Sequence, residues 1–253
     1  MACDSSEYYI EHLGVIDSTN SYARENAGAL WEAAGKAGIV AVRADEQTAG
    51  RGQRGNVWQS GAGENLLVSL MVRPGFLAVS EQFVLSQAIA LAVRAAVGFL
   101  GCDVQIKWPN DIYAGDRKLA GVLVELDCCG EYVSNAVIGV GLNVNQTIFE
   151  PMDKVPVSLK MLQGGVLSID EVLAALLDAF SYYYSLLERG EAHLIAEEYK
   201  KHLVGYKRVM RYSASGELFD ARIKDVLPGG HLLLERTCGT LSKYTFKEVE
   251  LLL

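Results

Sequence analysis

The spacing of apolar residues changes character once along the chain, near Gly205, and that change limits the architecture. Before it, helical and strand patterns alternate. Leu173, Leu176, Leu177, Phe180, Tyr184 and Leu187 fall on one helical face, and Ser168 and Glu171 ahead of them have capping-box spacing. After it, Lys207–Tyr212, Leu218–Val226, His231–Glu235 and Lys243–Leu251 read as short alternating strands, punctuated by Ser215-Gly216, Pro228-Gly229-Gly230 and Cys238-Gly239. A β module this small rarely buries enough surface to stand alone, so it is expected to pack on the rest. The sequence divides into a larger domain, 1–204, and a small C-terminal β domain, 205–253. The expected class is α+β, with an antiparallel or mixed sheet and helices on one side.

Within the larger domain, Tyr8–Ile16, Gly38–Ala44, Asn65–Arg73, Val104–Lys107, Gly121–Leu126 and Ala136–Val144 read as strands. The last two look paired around a turn at Cys129-Gly130. Asp17, Ser18 and Thr19 are capping types ahead of a short helix to about Gly28. Ser80 is the candidate N-cap of a helix reaching Leu100, and another helix is expected from Glu191 to His202.

Half the residues are hydrophobic and 21% are charged, which is a globular composition. The net charge of -8 offers no basic face for duplex DNA, although basic residues gather between Arg43 and Arg54. The cysteines, Cys3, Cys102, Cys128, Cys129 and Cys238, are odd in number and form no C-x-x-C, so reduced thiols are expected. His12, His193, His202 and His231 lack zinc-ligand spacing, and no metal ligand set is expected. The polar, acidic start, Met1 to Tyr9, is no signal peptide. The longest apolar stretch, Phe83–Leu100, contains Ser86, Gln87 and Arg94 and reads as a buried helix rather than a membrane span. A soluble, cytoplasmic protein is the expectation.

Five segments carry chemistry. Gly50-Arg51-Gly52-Gln53-Arg54-Gly55 is a pliable loop whose arginines suit an anion, and equally a solvated hairpin turn. It lacks the Lys-Ser/Thr of a phosphate loop. Lys107-Trp108-Pro109-Asn110-Asp111 places a lysine and an aspartate at a strand end, lining a pocket or forming a surface salt bridge. Arg117-Lys118-Leu119-Ala120-Gly121 puts Lys118 ahead of a buried strand, where a hydrated surface lysine is the plainer reading. In Ile138-Gly139-Val140-Gly141-Leu142-Asn143-Val144-Asn145, Gly139 and Gly141 share one strand face and leave room for something flat, or for close helix packing. Asp17-Ser18-Thr19-Asn20 clusters hydroxyls and amides that grip a ligand or simply cap a helix. No nucleophile elbow and no H-E-x-x-H is present, so the site binds and polarises rather than attacks.

In order and spacing, these segments, with Gln47-Thr48-Ala49 before the glycine loop and Trp58 after it, resemble the biotin–protein ligase family. The resemblance runs from Asp17 to Asn143. It implies a class II synthetase-like catalytic domain and an SH3-like β-barrel at the C-terminus. The implied reaction activates biotin with ATP as biotinyl-5'-AMP, then transfers biotin to a lysine of a biotin carboxyl carrier protein or domain. ATP, with Mg2+ sharing the phosphate charge, and biotin are the implied ligands.

Carried over by position, Ser18, Thr19, Asn20 and Gln47 face the ureido ring of biotin, and Gly50, Arg51, Gly52 and Gln53 belong to the loop that orders over biotin and its adenylate. The resemblance also implies that Gly121 and Gly139 lie on the biotin side and that Trp58 packs on the ligand. Lys118 meets the carboxylate and α-phosphate, Lys107 serves the phosphates, and Asp111 orients the incoming amine. Arg51 and Arg54 complete the charged set. Asn110, Gly141 and Asn143 lie near the adenylate.

Two departures stand out. Gln53 occupies a place that the family often gives to an arginine linked to adenylate retention, and Asn56 stands where a basic residue is common. The Ser18-Thr19-Asn20 segment also begins too early for a DNA-binding domain to precede it, so a ligase without DNA binding is expected. An exposed sheet edge leaves room for a homodimer. A lipoate–protein ligase and a non-catalytic biotin or adenylate sensor are the rival readings.

Overall fold

The computed structural model describes residues 7–151 and 154–253; Cys3, the rest of the N-terminal stretch before Glu7, and the side chain of Arg54 lie outside the described set. Strand β1 (Tyr8–Ile16) runs parallel to β2 (Ile39–Gln47). Antiparallel neighbours follow in the order β3 (Leu66–Val72), β7 (Tyr132–Leu142), β6 (Arg117–Cys129), β5 (Asp111–Ala114) and β4 (Gln105–Lys107), making one mixed seven-stranded sheet.

Both faces of its centre are covered. On one face Val68, Leu70, Ile138, Val140 and Leu142 join the main core. That core is roofed by α3 (Phe83–Phe99), α5 (Ile169–Glu188) and α6 (Ala192–Lys201). On the other, Val40, Val42, Met71 and Val137 meet Ala23 of α1 (Thr19–Glu25) and Leu30 of α2 (Ala27–Ala34). Helices therefore lie on both sides of the sheet, not one. The second helix is absent from the sequence reading because Gly28 looks like a stop; it sits inside α2 with open space around it, and Asn26 ends one helix and begins the next.

The long apolar stretch is α3, with Arg94 at its half-buried margin. Its start differs from expectation. Ser80 lies within a 3-10 turn, Val79–Glu81, and Gln82 takes the N-cap position. Ser168 does cap α5, its hydroxyl accepting from Glu171 N at 3.3 Å. A short α4 (Leu159–Gln163), capped by Ser158, and the strand β5 also escape the sequence reading. No helix among the described residues is long and apolar enough to cross a membrane.

The C-terminal strands are β8 (Val209–Ala214), β9 (Glu217–Val226), β10 (Leu232–Arg236), β11 (Leu241–Tyr244) and β12 (Glu250–Leu251), ordered β11-β10-β9-β8-β12. The expected last strand, Lys243–Leu251, is broken because Lys247 adopts φ 71°. Only Glu250 and Leu251 resume pairing, and they pair with β8. The result is an open sheet among the described residues, where a closed SH3-like barrel is the expectation.

This sheet is joined to the larger one through a common core. Tyr212, Phe219, Ile223 and Leu234 belong to the same buried cluster as α3 and β7. Trp108 donates from Nε1 to Gly230 O at 3.1 Å, and its ring lies 5.3 Å from that of Phe246. Gly230 has φ 85°, and a Cβ there would stand 2.6 Å from Phe83. Gly230→Ala is expected to cost about 2–4 kcal/mol, summing left-handed strain and overpacking. Urea unfolding with an unchanged m-value checks this.

Candidate active site

Two properties of β7 create the site. Side chains alternate across a strand, so Ile138, Val140 and Leu142 face the main core while Gly139 and Gly141 face α1. A Cβ on Gly139 would overlap Asn20 Oδ1, and one on Gly141 would overlap the Trp58 indole. A Cβ on Gly121 of β6 would come within 3.1 Å of the same indole. The glycines are a bare floor on which the Asn20 amide of α1 and the flat Trp58 ring already rest.

Over this floor opens a cavity of ≈ 780 Å3. One end is neutral and polar. Ser18 is at the N-cap position of α1, but its side chain makes no capping hydrogen bond, so capping does not account for it. Thr19 donates from its backbone N–H to Gln47 Oε1 at 2.7 Å. Asn20 Oδ1 accepts from Ser69 Oγ at 2.5 Å, and Asn20 Nδ2 donates to Glu125 Oε2 at 2.8 Å.

The other end is charged. Lys118 Nζ lies 2.8 Å from Asp111 Oδ1 and 5.9 Å from the Trp58 ring centroid. Lys107 sits over the Tyr113 ring at 5.2 Å. Burial, and then the nearby Lys154 ammonium, hold Lys107 below the ordinary lysine range. Burial also raises the Tyr113 phenol well above its usual value. Lys154 pairs with Glu250 of β12, and that hydrogen bond lowers the Glu250 carboxyl. Among the described residues, no three His, Cys, Asp or Glu side chains are grouped as a metal-ion site.

The glycine loop closes on itself. Trp58 N donates to Gly50 O at 2.9 Å and Gly52 N to Asn56 O at 2.7 Å. Gly50 has no room for a Cβ, which would stand 2.5 Å from Trp58 O. Arg51 pairs with Glu125 at 2.9 Å. Gln53 Nε2 donates to Asn110 Oδ1 at 3.1 Å.

Most of the expected residues converge here: Ser18, Thr19, Asn20, Gln47, Arg51, Gly52, Gln53, Trp58, Lys107, Asp111, Lys118, Gly121, Gly139, Gly141 and Asn143 line the one cavity. Among the described side chains two do not line it: Gly50, at the start of the loop, and the buried Asn110, which accepts from Gln53 and donates to Val122 O at 3.3 Å.

Against this geometry stand the comparisons. The sequence model of the Biotin/lipoate A/B protein ligase family matches residues 13–143. A biotin--[acetyl-CoA-carboxylase] ligase of Paracoccus denitrificans is 37% identical over 186 residues, covering 70% of this chain and 73% of that protein. One from Mycobacterium tuberculosis is 33% identical, covering 86% and 76%. The chain belongs to the biotin–protein ligases. The bifunctional ligase/repressor BirA of Escherichia coli is 41% identical over 133 residues, but the chain spans only 39% of its length. In fold, the chain matches the Aquifex aeolicus biotin protein ligase in complex with biotin and ATP, at TM-score 0.77 and 23% identity, covering 96% and 98% of the two chains. It also matches the Leishmania major enzyme in complex with biotinyl-5-AMP, at TM-score 0.63 and 25% identity, covering 94% and 98%.

Several cavity residues escape sequence reasoning. Glu250, Lys247 and Tyr212 come from the C-terminal sheet, Lys154 and Phe149 from the segment after β7. No local pattern marks them. Lys154 and Glu250 meet only through the tertiary fold.

Trp58 Nε1 is buried without a hydrogen-bond partner among the described residues. No hydrogen bond from the indole fixes the ring, which rests on the glycine floor with Lys118 Nζ 5.9 Å from its centroid. Gly141→Ala is expected to push the indole toward water and shift tryptophan emission to the red. The shift should vanish when Trp58→Phe is added.

Proposed function

We propose that this chain activates biotin with ATP and then biotinylates one lysine of a biotin carboxyl carrier protein or domain. A biotin carboxylate oxygen attacks the α-phosphorus of ATP, and pyrophosphate leaves. The lysine amine then attacks the acyl carbonyl, AMP leaves, and the amine gives up a proton. The observation that carries this reading is the polarity of this cavity: neutral hydroxyls and amides at one end, lysines at the other, and a glycine floor between them. Its ≈ 780 Å3 is in the range that encloses a small ligand.

The roles follow the chemistry. A ureido group offers one strong acceptor and two donors, which Ser18, Thr19, Asn20 and Gln47 can match. Lipoate has a dithiolane in that place, which offers none of the hydrogen bonds that these hydroxyls and amides can make. That favours biotin over the rival acid. Lys118 stands where charge develops at the carboxylate and α-phosphate, and a fixed cation there stabilises the transition state. A sensor would not need it. Asp111, held by Lys118 in the free enzyme, is released toward the incoming amine once phosphate takes the lysine. Lys107 and Lys154 suit the outer phosphates. ATP enters as its magnesium complex, a form in which the phosphates carry the metal.

The loop from Gly50 to Gly55 shields the mixed anhydride from water. Gln53 supplies no charge to that task, but its hydrogen bond to Asn110 anchors the loop. Residues 1–204 act as the catalytic domain. Residues 205–253 form a C-terminal domain that brings Lys247 and Glu250 to the cavity.

Pyrophosphate release measured with ATP, magnesium and biotin tests the reading. Release is expected to depend on biotin and to fall about 100- to 1000-fold in Lys118→Ala. Release driven by lipoate, or none with either acid, refutes it.

The lowered Lys107 adds a pH signature. Its proton leaves at a lower pH than an exposed lysine's, so binding of ATP weakens as pH rises. Accordingly, kcat/KM for ATP is expected to decline on the alkaline side. Lys107→Arg, which keeps its charge, moves that decline to higher pH.

A further inference from the structure

Glu125, on β6, has no role in the reaction as drawn, yet three side chains, two of them from the cavity, meet on its carboxylate. Its side chain is 16% exposed. Oε2 accepts from Asn20 Nδ2 at 2.8 Å and from Arg51 Nη1 at 3.3 Å, while Oε1 accepts from Arg51 Nη2 at 2.9 Å. Arg24 of α1 stands 3.6 Å from Oε1.

An ionised carboxylate only accepts hydrogen bonds. It therefore dictates which way the Asn20 amide points: Nδ2 toward Glu125, and Oδ1 toward Ser69, whose hydroxyl is 2.5 Å away. Gly139 leaves the space that Oδ1 occupies. Without the carboxylate, the two ends of the amide are nearly alike in shape and the group can turn over. A turned amide exchanges donor for acceptor at the neutral end of the cavity.

We infer that Glu125 is a positioning residue: its carboxylate fixes the direction of the Asn20 amide for the ureido group and tethers Arg51 of the glycine loop with the same two oxygens. This rests on the ligase reading. Glu125 itself touches no substrate. It acts through Asn20, so its loss weakens biotin binding more than turnover.

The test compares the full-length protein with Glu125→Ala, Glu125→Gln, Asn20→Ala and the double variant Glu125→Ala/Asn20→Ala, reading biotin-dependent pyrophosphate release and tryptic cleavage of the 51–54 loop. Glu125→Ala is expected to raise KM for biotin about 10- to 100-fold, the usual effect of losing a hydrogen bond to a charged group, with kcat within about threefold. The double variant should be no worse than Asn20→Ala alone. Glu125→Gln has nearly the same shape, and its amide oxygen still accepts from Asn20. It should recover most of the biotin KM while the loop, freed of its ion pair, is cleaved faster. An unchanged KM in Glu125→Ala overturns the inference. So do multiplied effects in the double variant, or a Glu125→Gln as impaired as Glu125→Ala. Absence of pyrophosphate release by the unaltered protein overturns the ligase reading itself, and this inference with it.

Discussion

Because side chains alternate across a strand, β7 at the middle of the large sheet has to serve two faces at once. On one, Ile138, Val140 and Leu142 are locked into the core beneath α3 and α5. On the other, Gly139 and Gly141 offer only backbone. The rigid face holds the bare face in place. Any side chain on the bare face would displace Asn20 or Trp58, so the cavity depends on two missing Cβ atoms whose positions are set by neighbours buried on the far side.

The C-terminal sheet belongs to this arrangement rather than hanging from it. Trp108 sits in the same short run as Lys107 and Asp111, and its indole N–H bonds Gly230 across the junction. Tyr199 of α6 bonds the carbonyl of Pro109 at 2.5 Å. A segment that presents charged groups on one side is thus clamped by two aromatic residues on the other. The Lys154–Glu250 pair then brings the last strand to the lip of the cavity.

Much of this was legible in the sequence, for physical reasons that differ by residue. The Gly139/Gly141 alternation is a statement about one strand face and needs no tertiary knowledge. The Phe83–Leu100 run and the Ser168 cap are local signals too; α5 formed as read, and α3 did so apart from its start, where Gln82 and not Ser80 takes the cap. Where the reading failed, competing local signals were the cause. Gly28 argued for a stop and hid α2. Asn110-Asp111 argued for a turn and hid β5. Lys247 took a left-handed conformation that no pattern announces, and the last strand broke there. Glu125 falls inside the expected strand Gly121–Leu126, where nothing singles it out. Only the fold shows that Asn20, Arg24 and Arg51, distant in sequence, meet on it.

The glycine loop is fastened at two points of unlike character. Arg51 is held by an ion pair at a half-exposed position, and Gln53 by a neutral amide–amide bond to a buried partner. Dissolved ions weaken the first and leave the second nearly untouched. Rising ionic strength therefore loosens the Arg51 tether first and leaves the Gln53 tether seated.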